Sequence, residues 1–127
     1  MAFLTLTPEG AVPFLSIVVP CRDEAQNIQP FHARLSVVLA GLGLSYEIIC
    51  VNDGSRDETL PRLLALQGHE PHLRILDLSR NFGKEAALTA GLDQARGSLV
   101  IPIDADLQDP PELIPTSSPN GGRAMMW

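Results

Sequence analysis

The apolar residues of this chain fall into two kinds of run that alternate along it. Short, continuous runs rich in β-branched and aliphatic residues occupy residues 14–21, 46–55, 73–79 and 98–104, and each run ends in polar residues. A continuous apolar run of this length is typical of a β-strand that is buried on both faces. The pattern therefore predicts four buried strands, the second of which ends in a turn.

The segments between these strands have apolar residues at helical spacing. Residues 24–43, 57–68 and 83–97 each predict a helix. Pro30 and Pro61 are expected in the first turn of their helices, where the missing N–H removes no hydrogen bond, and Gly41 and Gly43 are expected to end the first helix. The apolar positions of that first helix are Ile28, Phe31, Leu35, Val38, Leu39 and Leu42.

Strands that alternate with helices predict an α/β fold, a mostly parallel sheet with helices on both faces. Ligands bind such sheets beyond the carboxyl ends of the strands. The polar loops "CRDE", "NDGSRD", "SRNFGK" and "DADLQD" each follow a predicted strand directly. We therefore expect four loops to meet at one edge of the sheet and to form one binding site there.

Composition limits the kinds of ligand and the compartment. The chain has 127 residues, enough for one domain, and a net charge of −6, which argues against nucleic acid as a partner but not against a nucleotide. No run approaches the roughly 20 apolar residues of a membrane span, and the N-terminus lacks the features of a signal peptide. We expect a cytoplasmic location, with Cys21 and Cys50 as reduced, half-buried thiols.

The loop "DADLQD" is the strongest candidate for a metal site. Asp104 and Asp106 are separated by one residue, so an extended chain turns both carboxylates the same way. Their charges repel unless a cation lies between them, and Mg²⁺ or Mn²⁺ prefers oxygen ligands. Gln108 is a further candidate ligand. The alternative is that Asp106 or Asp109 caps a helix that begins at the following prolines, and for Asp109 we favour the cap.

Two acidic residues in the earlier loops are candidates for a nucleoside ligand. Asp53 lies in a tight turn and can accept two donors, as the edge of a base offers, and Glu24 can accept from a base or a ribose hydroxyl. The alternative for Asp53 is an Asx turn with Ser55 or Asp57 capping the second helix, and Ser55 with Glu58 fits a capping box. The alternative for Glu24 is an acid that complements a helix dipole.

The loop "SRNFGK" carries two candidate phosphate ligands, Arg80 and Lys84, beside the start of a helix. Their alternative role is that of a solvated loop, and the loop matches neither a Walker A nor a Rossmann glycine pattern. The three histidines show no metal-ligand spacing and are expected at the surface or between elements: His32, His69 and His72.

Three stretches, "LSIVVPCRDEAQNI", "YEIICVNDGSRDETL" and "LSRNFGKEAALTAGLDQARGSLVIPIDADLQDPPELIP", closely resemble the family-2 inverting glycosyltransferases, above all the polyprenyl- or dolichyl-phosphate hexose transferases of bacterial membranes. The resemblance implies a nucleotide-diphospho-sugar transferase (GT-A-like) fold, a UDP- or GDP-sugar donor, a polyprenyl phosphate acceptor, and Mg²⁺ or Mn²⁺. It implies a place at the cytoplasmic face of the inner membrane for full-length relatives. At Cys21–Arg22 the chain departs from the tyrosine or asparagine of many members.

The resemblance also assigns roles to individual residues. It implies that the base and ribose pocket is lined by Pro20, Arg22, Glu24, Val51 and Asp53. It implies that the diphosphate and metal meet Asp104, Ala105 and Asp106, with assistance from Gln108 and with Asp104 and Asp106 as the catalytic pair.

The sequence divides into a tail at residues 1–13, a donor-binding half at residues 14–115 and an aberrant stretch, "TSSPNGGRAMMW", at residues 116–127. A shifted reading frame of this last stretch permits an amphipathic helix, so we hypothesise a frameshift that truncates the enzyme, and we expect little or no sugar transfer. The alternative function is a non-catalytic nucleotide-binding remnant or interaction module. A haloacid-dehalogenase-like phosphatase fits poorly, because Gln108 stands where that chemistry usually has threonine or valine.

Overall fold

The computed structural model describes residues 13–105 of the chain. Within them it contains the four strands and three helices that the apolar pattern predicts, in the predicted order. The elements are β1 (Leu15–Cys21), α1 (Ile28–Leu42), β2 (Tyr46–Asn52), α2 (Thr59–Gln67), β3 (Leu73–Asp77), α3 (Lys84–Gln94) and β4 (Leu99–Pro102).

The four strands form one parallel sheet in the order β3-β2-β1-β4. Helices α1 and α2 pack on one face of the sheet, where the larger apolar cluster lies, and α3 packs on the other face over Val18, Ile49 and Val51. Both faces of the central strands are therefore buried, as continuous apolar runs require. The predicted fold class is confirmed.

Helix α3 lies unusually close to the sheet. A Cβ added at Gly91 would lie 2.4 Å from Cγ1 of Val18 and 3.1 Å from Cγ2 of Val51. One turn earlier, Ala87 is fully buried in the same contact. Small side chains therefore set the distance between α3 and the sheet, and with it the position of the first turn of the helix.

The prolines of the sheet lie where they cost no ladder hydrogen bond. The carbonyl of Val18 accepts the N–H of Ile103, so the backbone groups of Val18 point toward β4. Backbone direction alternates along a strand, so those of Pro20, two residues later, point the same way. Strand β4 ends at Pro102, so the missing N–H of Pro20 falls beyond the ladder. Pro102 itself alternates with Ile103 and faces away from β1, on the side of β4 where no strand within the described part of the chain pairs and where proline is tolerated.

The start of α2 differs from the predicted capping box. The helix begins at Thr59, and Glu58 occupies the N-cap position without a side-chain cap bond. The Ser55 hydroxyl instead donates to Oδ1 of Asn52 at 2.5 Å and accepts the N–H of Asp23 at 3.0 Å. The predicted capping box is wrong, because the Ser55 hydroxyl connects two loops and does not cap α2.

Asp57, the other residue considered for this cap, does contact the first turn of α2. Its Oδ1 accepts the N–H of Thr59 at 2.9 Å and the Thr59 hydroxyl, and its Oδ2 accepts the N–H of Ala25. Burial alone raises the pKa of Asp57, but these hydrogen bonds outweigh it and hold the pKa below its ordinary value. Pro61 is the third residue of α2, as predicted.

The cysteines are interior, whereas His69 and His72 are exposed and His32 is half-buried between elements, as expected. Cys21 and Cys50 are free thiols that are fully buried rather than half-buried. A hydrogen bond with Cys50, together with burial, raises the pKa of Cys21 well above its ordinary value. The ring of His32 binds Oε1 of Glu70 at 2.8 Å, so it bridges elements as expected. No helix within the described range 13–105 is long and apolar enough to cross a bilayer.

The amino-terminal edge of the sheet holds a buried ion pair that the sequence analysis did not identify. Nη1 of Arg74 lies 2.7 Å from Oε1 of Glu47, and both side chains are almost fully buried. Oε2 of Glu47 also accepts from the Ser16 hydroxyl and from the N–H of Arg96. This cluster ties the loop between α3 and β4 to the sheet, at the edge opposite the predicted site.

Candidate active site

A cavity of about 190 Å³ opens at the carboxyl edge of the sheet. The cavity lies beside β1. Strand β2, which follows β1 in the chain, pairs on one side of it, and β4 pairs on the other, so the cavity lies at the point where the strand order reverses. Such a switch point is where open α/β sheets bind ligands. The cavity is lined by Pro20, Cys21, Arg22, Glu24, Asp53, Asn81, Gly83, Lys84 and Asp104.

The convergence of loops that the sequence predicts is therefore present in the structure. Residues from the loops after β1, β2, β3 and β4 all reach this one cavity. The residues that the sequence analysis named and the cavity contains are Pro20, Arg22, Glu24, Asp53, Lys84 and Asp104. Arg80, the other predicted phosphate ligand, lies outside this cavity in an adjoining groove, with its guanidinium 5.0 Å above the ring of Phe82.

Asp53 is the most enclosed acid of the cavity, with 3% of its surface exposed. Its Oδ1 accepts the N–H of Phe82 at 2.8 Å and its Oδ2 accepts the N–H of Gly83 at 3.1 Å. Asn81 completes the contact, since its side-chain amide donates to the carbonyl of Asp53 at 3.2 Å. The two donors that the sequence analysis assigned to a base are thus backbone amides of the loop between β3 and α3.

The loops after β2 and β3 are pressed together at Gly54. A Cβ added there would lie 2.3 Å from the backbone N of Asn81, and the residue has a φ of +65°. Only glycine fits both the conformation and the space. The sequence reasoning missed Asn81 as a site residue, although it lies within the quoted loop "SRNFGK", two residues before the glycine that precedes α3.

Lys84 and Asp104 meet at the mouth of the cavity. The ammonium group of Lys84, the first residue of α3, lies 2.8 Å from Oδ1 of Asp104. The lysine side chain is 66% exposed and the aspartate side chain 25% exposed. The structure thus places a candidate phosphate ligand and a candidate metal ligand in direct contact.

Glu24 and Arg22 belong to the loop after β1. Oε1 of Glu24 accepts from the Asn27 side chain at 2.7 Å, and its backbone carbonyl accepts the N–H groups of Asn27 and Ile28, where α1 begins. Glu24 therefore lines the cavity and also stands at the start of a helix, so both of its predicted roles stay open. Nε of Arg22 lies 4.0 Å from Oδ2 of Asp23, with the arginine side chain 53% exposed.

Val51 and Ala105 are not placed as the resemblance implied. The side chain of Val51 is fully buried against α3, because alternate residues of β2 face opposite sides of the sheet. Ala105 is buried in the cluster beneath α1 and α2. Neither side chain lines the cavity, so only the backbone of these two residues remains for ligand contact. Asp106, Gln108 and Asp109 lie outside the described residues.

The donor set at the cavity suits a divalent cation that binds together with a phosphate group. Asp104 offers a hard carboxylate oxygen, and its partner in the structure is already a cation. Across residues 13–105, no three His, Cys, Asp or Glu side chains are grouped to hold a metal by themselves. Mg²⁺ is commonly held by one or two carboxylates with substrate phosphates and water, so the chemistry fits Asp104 as one ligand of such an ion.

Comparison with known proteins agrees with this geometry. The family model described as glycosyl transferase family 2 matches residues 16–116. An uncharacterized glycosyltransferase of Synechocystis sp. is 58% identical over 100 residues, which are 79% of this chain and 31% of that protein. The bactoprenol glucosyl transferase of Shigella phage SfV is 46% identical over 101 residues, 80% of this chain and 33% of that protein.

Solved structures show the same fold. The mannosyltransferase PcManGT from Pyrobaculum calidifontis, determined with GDP-Man and Mn²⁺, superposes with a TM-score of 0.64 at 22% identity, covering 82% of this chain and 34% of that one. The chain spans about a third of the length of the curated relatives it matches. A parallel sheet with a polar cavity at its switch point, and a family match over most of its length, establish that the chain belongs to glycosyl transferase family 2.

Proposed function

We propose that the family-2 fold of this protein serves the transfer of a hexose from a UDP- or GDP-sugar to a polyprenyl phosphate, with inversion at the anomeric carbon and with Mg²⁺ or Mn²⁺. The observation that carries the proposal is the cavity at the switch point, where an ammonium group and carboxylates from separate loops face one space. The name of the Shigella phage relative, a bactoprenol glucosyl transferase, supports a prenyl acceptor, and PcManGT was solved with GDP-Man and Mn²⁺.

The residues divide into those that position the donor and those that balance its charge. Asp53 fixes the loop before α3 through the amides of Phe82 and Gly83, and this sets the start of the helix. Lys84 then presents its ammonium group, and α3 presents its N-terminus, to an anionic group in the cavity. Glu24, which lines the same cavity, would accept a hydrogen bond from a ribose or base donor.

Asp104, with Asp106 from outside the described residues, would hold the divalent ion. When bound, that ion neutralises the charge that develops on the departing nucleoside diphosphate. Lys84 contributes to the same task, since a fixed positive charge close to a leaving diphosphate stabilises it as it departs.

The acceptor needs little activation. A polyprenyl phosphate is already an anion, so one of its oxygens forms the new bond to the anomeric carbon while the bond from that carbon to the diphosphate oxygen breaks. Attack opposite the leaving group inverts the anomeric centre. We place this reaction at the cytoplasmic face of the membrane, where nucleotide sugars and the lipid phosphate meet.

A second candidate function is a nucleotide-binding module without transferase activity. It is favoured by the cavity, which is lined by residues from the loops after all four described strands. The chain spans about a third of the length of its relatives. Donor binding and sugar transfer are therefore separate proposals, and each needs its own measurement.

Calorimetry with UDP and GDP in the presence of Mn²⁺ tests donor binding. We expect binding of one nucleotide that Asp104→Asn weakens at least about tenfold, since a lost ligand to a metal or phosphate is a change of this order. Asp93→Asn, an exposed acid on α3 away from the cavity, is the matched control and should bind as the parent does.

Transfer is measured with radiolabelled UDP-glucose or GDP-mannose and undecaprenyl phosphate in detergent. Labelled lipid that depends on Asp104 supports the transferase. Nucleotide binding without labelled lipid supports the second candidate, and no binding of either nucleotide rejects both.

A further inference from the structure

On the basis of the proposed function, the contact between Lys84 and Asp104 affects the order in which the metal ion and the sugar donor can bind. The ammonium group lies 2.8 Å from Oδ1 of Asp104, so it neutralises the carboxylate that would hold a divalent ion. An ammonium group and a divalent ion on the same carboxylate repel each other, so each weakens the binding of the other. Lys84 and the metal therefore compete for Asp104.

We propose that Lys84 is an exchangeable counter-ion, which holds Asp104 when the donor is absent and turns to the diphosphate when the donor binds. Its release frees Asp104 for the metal, so that Lys84 couples metal binding to donor binding. Lys84 is thus a positioning residue for the metal ligand as well as a donor contact, a role distinct from the charge neutralisation proposed above.

The geometry permits this exchange. The lysine side chain is 66% exposed, and a flexible four-carbon stem carries its charge. A partly exposed ion pair is weak, so a diphosphate with more than one negative charge competes well for the ammonium group. Lys84 is also the first residue of α3, and the hydrogen bonds from Asp53 to Phe82 and Gly83 hold this end of the helix beside the cavity.

Coupling of this kind is reciprocal. If UDP raises the affinity for Mn²⁺, then Mn²⁺ raises the affinity for UDP by the same factor. In the parent protein, Mn²⁺ alone should bind weakly because it must displace Lys84. Without the lysine charge, Mn²⁺ alone should bind more tightly, while the enhancement that UDP confers should shrink.

The test is the Mn²⁺ affinity read from the electron paramagnetic resonance signal of free Mn²⁺, with and without saturating UDP or, if calorimetry selects it, GDP. The proteins are the parent, Lys84→Gln, Lys84→Arg, Asp104→Asn and the control Asp93→Asn, with folding checked by circular dichroism. We expect a coupling factor for the parent in the range of about 5- to 150-fold. Lys84→Gln should bind Mn²⁺ more tightly without nucleotide, with a coupling factor smaller than that of the parent, and Lys84→Arg, which keeps the charge, should retain more of the coupling than Lys84→Gln.

Two results overturn the inference and are distinguishable. If nucleotide binds and Asp104→Asn weakens Mn²⁺ binding, but Lys84→Gln matches the parent with and without nucleotide, the proposed function stands and the exchange is rejected. If the parent binds neither UDP nor GDP, the proposed function fails and the exchange fails with it.

Discussion

The carboxylate of Asp53, at the end of β2, accepts the N–H of Gly83, the residue from which α3 starts, at 3.1 Å. A second hydrogen bond, from the N–H of Phe82 at 2.8 Å, uses the other oxygen. One buried acid thus connects two loops that are 30 residues apart in the chain. This side chain is engaged before any ligand arrives, so its contribution to stability and to binding can be separated.

We expect Asp53→Asn to destabilise the fold. The new NH₂ group would face a backbone N–H and leave a buried donor without its acceptor, which costs about 1–3 kcal/mol. Urea unfolding at pH 7 measures this, with Asp93→Asn as the control. If Asp53 serves only as a ligand for a base, its substitution will lower nucleotide affinity and leave the unfolding midpoint unchanged. That outcome contradicts a structural role for its hydrogen bonds to Phe82 and Gly83.

Gly54 and Gly43 form a matched pair for a second prediction. Both have positive φ, +65° and +67°, but a Cβ at Gly43 meets nothing within 4 Å while one at Gly54 would lie 2.3 Å from Asn81 N. Gly43→Ala should cost only the left-handed conformation, about 1–2 kcal/mol. Gly54→Ala should cost more, since the two loops must also move apart, and should weaken nucleotide binding. Equal unfolding free energies for the two variants would show that the loops separate freely.

The buried pair of Glu47 and Arg74 predicts a dependence of stability on pH. Burial alone raises the pKa of Glu47, but hydrogen bonds from Ser16, the Arg96 N–H and Arg74 outweigh it and lower the pKa from its ordinary value of 4.5. A carboxyl with a lowered pKa in the folded state adds stability that is full above its unfolded pKa and is lost as the pH falls through the folded pKa.

Urea unfolding between pH 7 and pH 3 should therefore show a loss of stability that begins near the ordinary value of 4.5 and continues below it. Glu47→Gln should unfold more easily at pH 7 by about 3–5 kcal/mol, since it leaves the charge of Arg74 buried without its counter-ion. Its stability should also change less on acidification. Parallel pH curves for Glu47→Gln and for the control Asp93→Asn would refute this assignment.

The two cysteines should be unreactive in the folded protein. Cys21 lines the cavity but has only 1% of its surface exposed, and its hydrogen bond with Cys50, together with burial, raises its pKa. Because the thiolate is the reactive form, a chromogenic disulfide reagent at pH 8 should label both thiols only as fast as the protein unfolds. Complete labelling within seconds, without denaturant, is the contrary result.

The strands and helices were predictable because both faces of a parallel sheet are buried, which leaves a continuous apolar run such as "LSIVVPC". The meeting of loops at one edge followed from parallel order alone. Six of the predicted site residues that lie within the described part of the chain share the cavity for this reason.

The remaining details depend on tertiary contacts that a local pattern does not contain. Ser55 fits a capping box in sequence, yet it binds Asn52 and Asp23 because the loop after β1 lies beside it. Val51 faces α3 because of the register of β2, which a run of apolar residues on both faces does not reveal. Glu47 and Arg74 are far apart in sequence, and nothing in their local context marks them as a buried pair.

The outward-facing Pro102 bears on how this protein associates with other chains. A strand added to an open side of a sheet is held by hydrogen bonds with the backbone N–H and C=O groups along that side. On the side of β4 where no strand within residues 13–105 pairs, Pro102 offers no donor, so an added segment would lose one hydrogen bond of the ladder in a strand of only four residues. This side of β4 is therefore a poor template for the addition of a further strand by backbone hydrogen bonds.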